Sequence, residues 1–184
     1  MSRLDRWAMQ DGYLSHSWQA WCVFCRDILL SSAQGLATAS NQTTGGPHQG
    51  RPEAELTWIG MRAAKGEPYA QVRSIRGMWL EPTWGDPLKF QQVAQAYQLP
   101  NEQAILTGIL SAGQVAGHLQ TIRNAAHHTN GENVAKVRAL AVFYQASSIK
   151  TPGEAIFWGD PGSGDFLYRF WTARLIAAAH LAVN

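Results

Sequence analysis

An arginine, the asparagine beside it and two histidines close an otherwise apolar and small-residue stretch, Ile122-Arg123-Asn124-Ala125-Ala126-His127-His128-Thr129-Asn130-Gly131. Arg123 carries five donors in a rigid fork and keeps its charge at any working pH. Asn124 donates and accepts at once. A histidine such as His128 is the side chain suited to moving a proton near neutrality. A fixed cation, an amide and an imidazole together suit a phosphodiester, which must be gripped while a proton leaves one oxygen and reaches another. RNA brings its own nucleophile, the 2′-hydroxyl. Such a set therefore calls for no metal and no cofactor. In a regular helix Asn124 and His128 are four apart and share a face. Arg123 and His128 are five apart and point about 140° from each other. The set closes only if the arginine reaches around or the helix unwinds near His128. His127, four residues after Arg123, is the rival imidazole.

The spacing from Arg123 and Asn124 to His128, Arg-Asn-x-x-x-His, resembles the motif of the HEPN superfamily (higher eukaryotes and prokaryotes nucleotide-binding). The resemblance implies a small helical bundle and a metal-independent endoribonuclease, with Arg123, Asn124 and His128 catalytic; His127, off the matching spacing, is an accessory candidate. It also implies a homodimer, because in HEPN enzymes the motifs of two subunits face each other across one cleft. RNA is then the substrate, an antitoxin or regulatory protein is a further partner, and the role is that of a toxin or antiviral defence effector. One departure matters. A branch of HEPN toxins carries a tyrosine two positions after the histidine, and here that position is Asn130, so the resemblance does not extend to control by AMP-modification of a tyrosine. The resemblance covers the motif and the helix leading to it. A second function class is a non-catalytic helical interaction or nucleotide-binding module, in which Arg123 and His128 are structural or only hold a phosphate.

The elements around the motif read as helices. Leu14, Trp18, Trp21, Cys22, Cys25 and Leu29 fall at helical spacing and predict a helix over about 14–30. Residues 35–52 are rich in Gly, Ser, Thr, Gln and Pro and predict a flexible loop. Its Gly45-Gly46-Pro47-His48 centre lacks the ending of a phosphate loop. A short helix is expected from Pro52 to Ala64. Residues 66–87 form an irregular loop with Trp79, Trp84, Arg73 and Arg76, whose aromatics should pin it to the core. Asp86-Pro87 is an N-cap with a first-turn proline, opening a helix to about Gln98. Asn101 can cap the next helix, expected from about 102 to 129 and about 40 Å long, with Asn130-Gly131 as its stop. Gly108, Gly113 and Gly117 within it permit close packing. Further helices are expected over 132–145 and 165–183, with a short turn from Thr151-Pro152. The expected fold is thus all-α, one domain over 1–184, a bundle of about five main helices.

Composition sets the outer bounds. The chain has 184 residues, 46% of them hydrophobic and only 15% charged, with a net charge of +2. That permits an anionic partner without demanding one, and so little charge suggests surface hidden in an oligomer. No run reaches the roughly 18 uncharged apolar residues of a membrane span, which places the chain in the cytoplasm. Cys22 and Cys25 form one Cys-x-x-Cys pair without a second, so two buried thiols are expected rather than a zinc site. The six histidines are scattered and make no His-Glu-x-x-His pattern.

Overall fold

Leu14, Trp18, Trp21, Cys25 and Leu29 recur every three or four positions and are all buried. That stripe runs along the first helix, α1 (Arg3–Gln34). The computed structural model describes residues 2–36, 45–71, 73 and 81–184. Within them follow α2 (Glu53–Ala63), α3 (Pro87–Tyr97), α4 (Glu102–Leu110), α5 (Gly113–His127), α6 (Gly131–Ala139) and α7 (Leu167–Val183), with 3-10 turns at Leu140–Phe143 and Pro152–Phe157. The fold is all-α, as expected. Among the described residues no strand forms, and the sole extended pairings are the isolated antiparallel bridges Gln145–Gly159 and Gly159–Phe166. No helix of the described residues is long and apolar enough to cross a membrane.

Several boundaries differ from expectation. Helix α1 starts eleven residues earlier than residue 14. Ser2 and Asp5 exchange backbone-to-side-chain bonds of 2.8 and 3.1 Å there, a reciprocal capping box. The helix expected over 102–129 is two helices, α4 and α5. The Ser111 hydroxyl bonds the Gly108 carbonyl, and the Ala112 N–H turns to Ile109, three residues back. A side chain has taken an acceptor that the helix ladder needs. Asn101 occupies the N-cap position of α4 but makes no side-chain cap bond; its amide donates to Ser32 instead, at 3.3 Å. Asn130-Gly131 is a start rather than a stop: Asn130 is extended, its side chain accepts from the Asn133 N–H, and Gly131 is the first residue of α6. The α-helix expected over 132–145 tightens into a 3-10 turn after Ala139.

The chain divides into two compact units, Met1–Ala20 with Gln114–Ile176, and Trp21–Gly113 with Ala177–Asn184. In the second, α2 packs on α3 and α3 on α4. Tyr97 on α3 is buried and its hydroxyl donates to the Leu56 carbonyl of α2 at 2.7 Å. The α3 start matches its reading, with Asp86 accepting from Leu88 and Lys89. Trp84 is only 4% exposed, so it does fasten its loop to the core, and its indole N–H meets Glu81 at 2.8 Å. Glu81 also accepts from Arg26 at 2.7 Å. Trp79, Arg76 and residues 37–44 lie outside the described residues. Cys25 is buried, and burial pushes its thiol up; Cys22 is half-buried rather than buried. Gly108 owes its presence to close packing. A Cβ there would run into the backbone of Ala182.

In the first unit the core collects Leu14 and Trp18 of α1, Leu119 and Ile122 of α5, and Trp171 of α7, all buried. A polar thread crosses it. The Trp171 indole donates to the Tyr144 hydroxyl at 3.3 Å, and that hydroxyl shares a hydrogen bond with His118 Nδ1 at 2.5 Å. Asp160 organises the expected 160–164 loop, its carboxylate accepting from the Gly162 and Ser163 N–H groups.

Candidate functional site

The four motif residues all belong to the first unit, at the end of α5. Ile122 and Ala125 turn inward and are buried. That rotation leaves Arg123 and Asn124 half-buried and His127 and His128 exposed. The Arg123 Nη1 donates to Asn124 Oδ1 at 3.1 Å, and Asn124 shares a helix face with His128 by spacing. The helix also ends where it must: α5 closes at His127, and His128 is the first residue beyond, its N–H still held by the Asn124 carbonyl at 2.8 Å.

Charge at Arg123 is not matched locally. Among the described residues no carboxylate forms an ion pair with it. Its Nε is buried and meets no acceptor among the described residues. An orphaned buried donor costs about 1–3 kcal/mol, so the side chain is held where it is less than satisfied.

The two histidines differ in their surroundings. His127 Nε2 is 2.6 Å from the Ser15 hydroxyl of α1. The His128 imidazole, by contrast, has no hydrogen-bond partner among the described residues, while its carbonyl accepts from the Asn133 amide at 2.7 Å. Asn133 in turn is tied through its N–H to Asn130. The backbone at His128 is thus clamped from α5 on one side and α6 on the other, and its ring is left open to solvent.

Ser15 and Asn133 are therefore part of the site, and spacing around the motif does not reveal Ser15, which lies 112 residues away in sequence. Asn133 was within reach of sequence reading: once Asn130 is seen as an N-cap, Asn133 is the N3 residue of α6. A cavity of about 240 Å³ opens next to the motif, lined by Ala126 and Thr129 together with Trp7, Lys150 and Thr151. Arg123 and His128 are not among its lining residues. Arg73, in the second unit, lines a separate cavity of about 330 Å³ with Trp58 and Arg62.

Compared with known proteins, the chain matches no family model, and no curated protein or solved structure is significantly similar to it.

Proposed function

We propose that the chain is a metal-independent endoribonuclease whose chemistry is carried by Arg123, Asn124 and His128. The observation that carries the reading is Arg123: a cation without an ion-pair partner among the described residues, with one donor orphaned, bonded to Asn124 and five residues before an exposed imidazole. An uncompensated guanidinium suits an incoming phosphate, whose oxygens accept its fork. The scissile phosphate docks on Arg123, with Asn124 holding the fork's orientation. Neutral His128 takes the 2′-hydroxyl proton as O2′ bonds to phosphorus. The bond from phosphorus to O5′ breaks, and O5′ needs a proton. A homodimer supplies it, from a protonated His128 of the partner subunit across a shared cleft, which is the arrangement the HEPN resemblance implies. A toxin or defence role, with an antitoxin or regulatory protein as partner, follows from the same resemblance.

A second reading rests on a specific observation. Asn124 is engaged by Arg123, and His127 by Ser15, as they would be in a non-catalytic helical interaction or nucleotide-binding module that uses these side chains as fasteners. Product chemistry separates the two readings. Single-stranded RNA incubated with the protein in EDTA should yield fragments ending in 2′,3′-cyclic phosphate, while DNA of the same sequence, lacking the attacking hydroxyl, survives. RNA that stays intact across pH and concentration removes the ribonuclease reading and leaves the module.

A further inference from the structure

Three adjoining cavities in the first unit share α1 as a wall. The one beside the motif, of about 240 Å³, holds Trp7, Gln10 and Lys150 with Ala126 and Thr129. The next, of about 530 Å³, is bounded by Arg6, Trp7, Gln10, Lys150 and Phe157. The last, of about 360 Å³, is bounded by Arg6, Gln10, Tyr13, Phe157 and Tyr168. Gln10 borders all three, and each neighbouring pair shares further walls. Together they form one groove from the end of α5 to a set of aromatic rings.

The groove has the parts of a strand-binding track. Arg6 and Lys150 form no ion pair among the described residues. Two acids also border it, so it is not a strongly positive channel: Asp11 lies beside Gly153, and Glu154 accepts the Lys150 backbone N–H at 2.6 Å. The Thr151 hydroxyl at the motif end is buried and has no hydrogen-bond partner among the described residues. At the far end Phe157 is 46% exposed and Phe166 is 51% exposed. Phe166 and Tyr168 lie nearly parallel, at 19° and 6.1 Å, and Phe157 stands edge-on to both. These rings sit on fixed backbone: Gly159 bridges to Phe166, and the Leu167 N–H bonds the Trp158 carbonyl. Exposed, rigid aromatic faces next to unpaired cations are what unstacked bases bind.

We infer that this groove holds single-stranded RNA, with one base stacked on the exposed Phe157 ring and the backbone passing Arg6 and Lys150 toward the end of α5. The choice of RNA rests on the reading of Arg123 and His128 as a ribonuclease site, whereas the stacking contact itself stands apart from cleavage. Base stacking supplies most of the hold, because only two cations face the strand and two acids oppose them.

The test uses the full chain carrying His128→Ala and a fluorescein-labelled single-stranded RNA, with affinity read by polarisation. Adding Phe157→Ala should weaken binding about tenfold or more, the effect of losing one base–aromatic stack. Phe157→Trp should restore it, which separates a lost stack from a damaged fold. Arg6→Ala should weaken binding and lower the salt slope by about 0.7, the share of one phosphate contact on a single strand. The matching DNA should bind nearly as well, since stacking does not read the 2′-hydroxyl. Unchanged RNA affinity in Phe157→Ala, or no RNA binding by the parent or His128→Ala, overturns the inference. The two readings fail separately. If the parent cuts RNA and Phe157→Ala binds and cuts like it, the groove is wrong and the ribonuclease stands. If Phe157→Ala loses RNA affinity but the parent cuts nothing, the groove stands and the ribonuclease fails.

Discussion

Two residues on α5 illustrate opposite ways of placing a polar group. His118 is half-buried in the first unit, where burial pushes its imidazole below the ordinary value of 6.5, and its Nδ1 shares a hydrogen bond with the Tyr144 hydroxyl. Arg123, one and a half turns later, keeps a donor unmet. The first is a stability device with a pH sign. Because the folded state disfavours protonated His118, the unfolded chain binds the proton first as pH falls, so the contribution is complete above about 6.5 and is lost as pH drops toward the folded value. His48, also lowered by burial, adds in the same direction. Urea unfolding should therefore give a lower midpoint at pH 5.5 than at pH 7.5, and His118→Asn should flatten part of that slope; parallel slopes in the two proteins contradict the assignment. For Arg123 the expectation is reversed. Arg123→Met keeps the apolar stem and deletes the orphaned Nε, so its melting temperature should equal or exceed the parent's. A loss of several degrees would mark the guanidinium as a structural fastener. At this scale the motif was legible because its members are sequence neighbours. Ser15 was not, because its meeting with His127 depends on the whole fold of the unit.

At the scale of elements, the site depends on the short junction between α5 and α6. Asn130 caps α6 and Asn133 holds the His128 carbonyl. Asn130→Ala should cost about 1 kcal/mol of stability, with Asn130→Asp retaining most of it; calorimetry on both variants decides. Asn130-Gly131 reads as a helix stop in the sequence because the pair serves equally at a C-terminal end and as an N-cap, and spacing alone does not separate the uses. The long-helix reading of 102–129 failed for a related reason: Ser111 competes for the Gly108 carbonyl only once the local turn has formed. The proline signals did locate α2 and α3, Pro52 just before the first and Asp86-Pro87 opening the second. The glycine at 108 tests the packing account. Gly108→Ala places a methyl against the Ala182 backbone, so it should destabilise by about 1–3 kcal/mol, whereas Gly117→Ala, with open space around it, should be neutral or stabilising.

At the scale of the whole molecule, the proposed chemistry needs two copies, since one imidazole cannot both take the 2′ proton and already hold one for O5′. Light scattering should report twice the 20.2 kDa chain mass at micromolar concentration. The all-α class is legible throughout, as every long apolar pattern is helical, and the groove is not, since Arg6 is far in sequence from Lys150 and Phe157. The most direct measurement compares cleavage rates of one labelled RNA by the parent, Arg123→Ala, His127→Ala and His128→Ala, with folding checked for each. Loss of a general acid–base group costs about 10²–10⁴-fold, so Arg123→Ala and His128→Ala should each lose nearly all activity while His127→Ala retains most of it. Equal cleavage by the parent and His128→Ala would contradict the account.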